Sequence, residues 1–337
     1  ARRAVDEARD RVAGGIGCRP GEVVFTGGGT VGDNAAVAGA VHRRRGRPIC
    51  PAAEHHAVLH VVERLDGTVV AVDAAGEVDL DGLDRALGDD VAAVSVMTVN
   101  NEVGTISDLV AVSARVRARA PSAVLHTDAV QAASWLDLRQ LWPSVDALSL
   151  SAHKFGGPKG VGVMALRDGT AVDALLVGGG QERDRRSGTH NVAGIVAMAE
   201  ALAATDAERA SEGQRVARLR DRLVDGLTGA VAGVRETVPR HRKIAGSAHV
   251  MFDGVESESL LYLLDEAGVC ASAASACASG AMDPSHVLAA MGVERSWANG
   301  ALRMSLGRTT TDADVDEALT VLSSAVATLR RRAPVGR

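Results

Sequence analysis

Continuously apolar runs at Glu22–Thr26, Val69–Val72, Val91–Met97, Val124–Thr127, Asp146–Leu150 and Val161–Ala165 alternate with helical patterns. The helical segments lie at Asn34–Arg45, His56–Leu65, Leu80–Leu87 and Leu109–Ala120, and a further short strand is read at Pro48–Cys50. Strands without a polar face are covered on both sides, so the pattern predicts an α/β fold with a mainly parallel sheet beneath helices. From about Asn191 to Leu227 a long helical stretch leads into a second lobe. That lobe has a strand near His249–Phe252, a helix at Ser257–Glu266, a strand at Ala301–Ser305 and a final helix from Asp312 to Arg331. A chain of 337 residues accommodates two lobes. The predicted division is a large domain over 1–210 and a smaller α+β domain over 211–337.

Bulk properties narrow the function. A net charge of −5 gives no general attraction to nucleic acid or anionic membranes. No apolar stretch reaches the roughly 18–20 residues of a membrane span, and no signal peptide opens the chain. The four cysteines, Cys18, Cys50, Cys270 and Cys277, show no CxxC spacing, so neither a metal site nor a disulfide framework is predicted. A reducing, cytoplasmic setting is expected. The chain begins at Ala1, and Arg2–Val12 reads as mid-helix with no capping residue ahead of it, so the natural N-terminus is expected to lie upstream.

Lysine usage is the next constraint. Only Lys154, Lys159 and Lys243 occur, against abundant arginine. Lys154 closes Ser151-Ala152-His153-Lys154 at the end of an apolar run. A guanidinium stays charged and forms no imine, whereas an amine can lose its proton and condense with a carbonyl. The reading is a Schiff-base lysine, and hence pyridoxal 5'-phosphate (PLP).

The other strand ends supply candidate partners. Thr26-Gly27-Gly28-Gly29-Thr30 joins a strand to a helix, and its N–H groups and the Thr30 hydroxyl suit an anion. A tight turn is the competing reading. Asp128 and Gln131 end another strand, where ligands gather in α/β sheets. A carboxylate there can hold a pyridinium nitrogen protonated, or it can serve as a helix N-cap. Glu54-His55-His56 offers a histidine to stack on a ring, or a surface accident. Asn100-Asn101-Glu102-Val103-Gly104-Thr105 reads equally as a turn.

Gly178–Arg183, continued by Arg186-Ser187-Gly188-Thr189, reads as a mobile polar loop or an exposed linker. Arg303 lies on an apolar strand and needs a carboxylate, either a substrate's or the protein's own. Cys277 sits in the small-residue run Ser272–Gly280, which cannot build a core and leaves a movable thiol. Cys270, with apolar flanks, reads as packed.

Glu54-His55, Asn100-Asn101-Glu102, Asp128-Ala129-x-Gln131, Ser151-x-His153-Lys154, Arg186-Ser187-Gly188-Thr189 and Ser275-Ala276-Cys277 occur together in this order. In this the chain resembles, from about Ala4 to Leu329, the cysteine desulfurases of the NifS/IscS type in the class V aminotransferase family. The resemblance implies PLP-dependent transferase fold type I, with a seven-stranded-type sheet and a smaller C-terminal domain carrying the catalytic cysteine loop. It implies that Lys154 carries the cofactor, Asp128 pairs with its ring nitrogen, Gln131 bonds its phenolic oxygen and His55 stacks on the ring. Thr30, Ser151 and His153 would hold the phosphate, with Gly29 in the same loop and Thr189 reaching across a homodimer. Asn101 and Arg303 would grip the carboxylate of L-cysteine, and Cys277 would receive its sulfur as a persulfide. A sulfur-acceptor protein is implied as partner, an iron–sulfur scaffold or a thiolation enzyme among the options.

The chain also departs from the family. The family's Ala-Thr-Thr-Pro-type segment is missing, and Gly27–Asn34 stands where relatives carry Ser-Gly-Ala-Thr-Glu-Ser-Asp-Asn. Two other readings therefore stay open beside the desulfurase. One is a selenocysteine lyase or related β-eliminating enzyme, and the other is a degenerate PLP-fold partner without activity.

Overall fold

A computed structural model describes residues 1–273 and 285–332. Its chain resolves into two compact units. The first comprises Ala1–Val72, Glu77–Val99 and Ser107–Arg209, and the second comprises Asp73–Gly76, Asn100–Ile106 and the chain from Ala210 onward.

The first unit is built on a seven-stranded sheet of β1 (Val23–Thr26), β2 (Arg47–Pro51), β3 (Thr68–Val70), β4 (Val91–Ser95), β5 (Val124–Asp128), β6 (Ala147–Ser151) and β7 (Gly162–Leu166). The strand order is β1-β7-β6-β5-β4-β2-β3, with β7 antiparallel to both its neighbours and the other pairings parallel. The predicted mainly parallel sheet is what the structure has. Strands β4 to β7 are buried along their whole length, as their unbroken apolar runs require.

Its helices are α1 (Arg2–Ile16), α2 (Gly29–Arg44), α3 (His56–Arg64), α4 (Leu80–Ala86), α5 (Leu109–Arg119) and α6 (Leu138–Leu141). Ala36, Val37 and Ala40 of α2 and Val58 and Val62 of α3 share one core with Val24, Cys50, Ala93, Ala147 and Met164 of the sheet. The small residues of α2 let that helix lie close on the strands. Helix α2 starts at Gly29, earlier than the predicted Asn34, because glycines in its first turn hide the helical pattern.

Helix α7 (Val192–Ala230) carries the chain from the first unit into the second, the change falling between Arg209 and Ala210. The second unit holds the antiparallel sheet β10-β9-β8, formed by β8 (Val234–Glu236), β9 (Ser247–Phe252) and β10 (Ala301–Ser305). Helices α8 (Ser257–Glu266), α9 (His286–Ala290), α10 (Arg295–Ala298) and α11 (Asp312–Arg332) complete it. Among the described residues, no helix is long and apolar enough to cross a membrane.

Candidate active site

Strand register brings the first group of candidates together. Thr26 at the end of β1 pairs with Gly162, and Gly162 pairs with Ser151 at the end of β6. The Gly27–Gly29 turn therefore emerges beside Ser151. Gly28 caps α2 with φ 147°, a conformation essentially reserved for glycine. A Cβ added to Gly28 would stand 3.5 Å from Ser151 Oγ, and one on Gly29 would strike Val130 Cγ2 at 2.5 Å. No side chain caps this helix, so its first N–H groups and its positive dipole end are offered to an anion. Ser151 Oγ lies 2.9 Å from His153 Nδ1, and Thr30 is exposed in the first turn. Burial, and then the charges of Lys154 and Lys159, hold His153 below the usual histidine range.

Asp128 ends β5, one strand from Ser151, and is buried. Its Oδ1 accepts the Val130 N–H at 2.8 Å. Burial pushes its pKa up to about 6, opposed by the Val130 N–H and by the charge of Lys154. Lys154 is exposed on the 3-10 turn Ala152–Phe155 that follows β6, and its carbonyl accepts Ser134 Oγ at 3.4 Å. Gln131 is half-buried in the turn after Asp128.

His55 caps α3: its Nδ1 accepts the Ala57 N–H at 3.0 Å, so the neutral ring carries its proton on Nε2. The neighbouring Glu54, fully buried, accepts the Met97 N–H on Oε1 at 2.5 Å. Burial, and then the charge of Asp128, raise Glu54 well above the usual carboxylate range.

The other candidates are placed as follows. Thr189 is exposed in the first unit. Asn101 and Arg303 both belong to the second unit, where Arg303 Nη1 donates to the Asn101 carbonyl at 2.9 Å. The Asn100–Thr105 segment is a turn closed by Asn100 N–H to Thr105 O at 2.8 Å, with the Asn100 side chain accepting the Glu102 and Val103 N–H groups. Arg303 Nε and Asn101 Oδ1 are buried without a hydrogen-bond partner among the described residues. Such donors and acceptors are costly unless something polar meets them. Cys277 lies outside the described residues. Cys270, expected to be packed, is exposed, while Cys50 is buried in the sheet.

Sequence reasoning missed three buried groups in this region: Asp33 and Glu54, each acted on by the Asp128 charge, and His126, two residues before Asp128 on β5. It also missed Glu182, which accepts from Arg9 twice (2.6 and 2.9 Å), from the Phe25 N–H (2.9 Å) and meets His190 Nε2 at 2.6 Å. The loop read as mobile is pinned at this residue. Among the described residues, no cluster of three or more His, Cys, Asp or Glu is placed to hold a metal ion.

The donor set suits PLP. An uncapped helix start cradled by glycine matches a phosphate, a buried carboxylate at a strand end matches a protonated ring nitrogen, and Lys154 acts electrostatically on that carboxylate.

Comparison with known proteins agrees. The family model for aminotransferase class-V matches residues 1–318, and the chain belongs to that family. Among its relatives, an "IscS-like cysteine desulfurase" of Mycobacterium tuberculosis is 44% identical, with 99% of this chain and 88% of the relative covered. A "Cysteine desulfurase IscS" of Methanosarcina thermophila is 41% identical over 99% of this chain and 84% of the relative. A solved "NIFS-like protein" is 34% identical with a TM-score of 0.89, covering 97% of this chain and 88% of its own. DndA from Streptomyces lividans is 31% identical with a TM-score of 0.77, covering 91% and 88%.

Proposed function

We propose that this protein is a PLP-dependent cysteine desulfurase that converts L-cysteine to L-alanine and passes the sulfur to Cys277 for delivery to an acceptor protein. The observation that carries the reading is the pairing of Asp128 and Lys154, a buried acid and an amine at the ends of adjacent strands, each within electrostatic reach of the other. Lys154 anchors the cofactor aldehyde, and Asp128 holds the ring nitrogen. Gln131 meets the phenolic oxygen and His55 lies against the ring. The α2 start at Gly29 and Thr30, with Ser151 and His153, holds the phosphate. Thr189 completes that phosphate site from the partner subunit of a homodimer.

When bound, PLP acts as a sink for the electron pair left at Cα. Arg303 and Asn101 fix the substrate carboxylate, and Arg303 Nε, without a hydrogen-bond partner among the described residues, is the donor left for it. The Lys154 amine takes up the Cα proton. Cys277 as thiolate attacks the substrate sulfur. The S–S bond forms as the Cβ–S bond breaks, Cβ takes a proton, the Lys154 ammonium returns the proton to Cα, and alanine leaves while Cys277 keeps the persulfide. The Ala57 N–H held by His55 Nδ1 fixes the orientation of the imidazole that would stack on the ring.

The test is a paired assay of alanine and sulfide from L-cysteine, with L-selenocysteine run beside it. Equal yields of the two products from cysteine are expected, and Cys277→Ser retains the cofactor absorbance while persulfide formation falls to background. Undiminished sulfur release by that variant removes Cys277 from the reaction.

A further inference from the structure

We propose that Asp33 is a positioning residue for Asp128: as a neutral acid it ends a buried chain, Asp33–Ser149–His126–Ser95, that fixes the strand end from which Asp128 projects. The proposal rests on the reading of Asp128 given above. Ser95 Oγ lies 2.8 Å from His126 Nδ1, and His126 Nε2 lies 2.9 Å from Ser149 Oγ. Asp33 lies close enough to Ser149 to be acted on by its hydroxyl, and its Oδ1, buried without a hydrogen-bond partner among the described residues, stands 3.6 Å from His126 Nε2. The side chains of His126 and Asp33 are 0% and 1% exposed, so bulk solvent does not reach them.

The chain crosses the sheet at the site. Ser95 of β4 is opposite His126 of β5, and Ser149 of β6 is opposite Asp128 itself. His126 and Asp128, two residues apart, share one face of β5. Helix α2 reaches this face because residue 32 is glycine: a Cβ there would stand 2.7 Å from Ser149 Oγ.

Charge decides the protonation state. The ionisable groups facing Asp33 are Asp128 and Glu54, both acidic, and His126. Burial first, and then the Asp128 charge, raise Asp33 well above the usual carboxylate range, with only the Ser149 bond opposing. His126 offers no counter-charge, since burial pushes its pKa down to about 3. Two carboxylates in one dry site do not both ionise. Lys154 acts on Asp128, so the negative charge stays there and the proton stays on Asp33.

A neutral Asp33 sets the direction of the chain. Its O–H donates to Ser149 Oγ, the Ser149 O–H donates to His126 Nε2, and His126 Nδ1–H donates to Ser95 Oγ. An ionised Asp33 reverses every link and moves the imidazole proton to Nε2.

Nitrogen-15 NMR of histidine-labelled holoenzyme reads this directly, with His126 identified by the signal lost in His126→Gln. The Nδ1–H tautomer is expected at pH 7.5 in the wild type and in Asp33→Asn, whose amide donates in the same sense. The Nε2–H tautomer in the wild type overturns the proposal. The positioning role is read from the pH titration of the bound-cofactor absorbance. Asp33→Asn keeps the wild-type midpoint, while Ser149→Ala, which cuts the chain, displaces it by about one pH unit. An unmoved midpoint in Ser149→Ala overturns the role. A wild type that takes up no cofactor sinks the functional reading and the positioning role together, while the tautomer still reports on Asp33.

Discussion

Asp128 shows how a functional residue trades stability for chemistry. Its pKa in the folded protein without cofactor, about 6, lies above the ordinary aspartate value near 3.9. A raised acid holds its proton better folded than unfolded. Its ionisation therefore costs nothing below about pH 4 and its full cost applies above about pH 6, up to about 3 kcal/mol for so buried a group. Asp128→Asn should thus stabilise the cofactor-free protein at pH 8 and leave it unchanged at pH 4, as read from urea midpoints, while weakening PLP binding. Equal midpoints at both pH values contradict this. Asp128 and Lys154 were legible in the sequence because each ends an apolar run, where a charged group stands out. Asp33 and His126 were not. What makes them a chain is the lateral register of β4, β5 and β6, and local sequence does not encode which residue of one strand faces which residue of the next.

Among elements, the segment around Glu182 holds the most consequence per residue. Glu182, Arg183 and Asp184 all adopt positive φ (51°, 58° and 62°), a run that non-glycine residues tolerate only when their surroundings compel it. The compulsion is the buried Glu182 carboxylate. Burial alone would raise it, but Arg9, the Phe25 N–H and His190 together hold it below the usual range. The site thereby ties α1 and β1 to the loop that leads to Thr189. Glu182→Gln leaves Arg9 buried without its partner and is expected to cost about 3 kcal/mol in urea unfolding. A loss under 1 kcal/mol would mean that Arg9 finds water instead. This anchor escaped a sequence reading because Arg9 lies 173 positions away. Longer elements read well, Ser257–Glu266 and Ala301–Ser305 to the residue. The three-residue β8 and the short α9 and α10 show too little period to detect.

Across the whole molecule, we propose that the homodimer contact includes one exposed apolar stretch. Leu175, Leu176 and Val177 form a consecutive exposed apolar stretch, Val177 being 85% exposed, just ahead of the Gly178–Thr189 segment. Apolar side chains exposed side by side gain from burial against a partner. Val177→Asp should convert the dimer to monomer in sedimentation velocity and weaken PLP retention together, since Thr189 would lose its partner's site. A dimer unaffected by the charge places the interface elsewhere.

The three lysines allow a decisive reading of the central claim. Borohydride treatment of the PLP-loaded protein, followed by peptide mass spectrometry, locates the amine that held the aldehyde. The account predicts the reduced pyridoxyl group on Lys154 alone, with Lys154→Ala yielding none. A group found on Lys159 or Lys243, or on no lysine of the wild type, contradicts it.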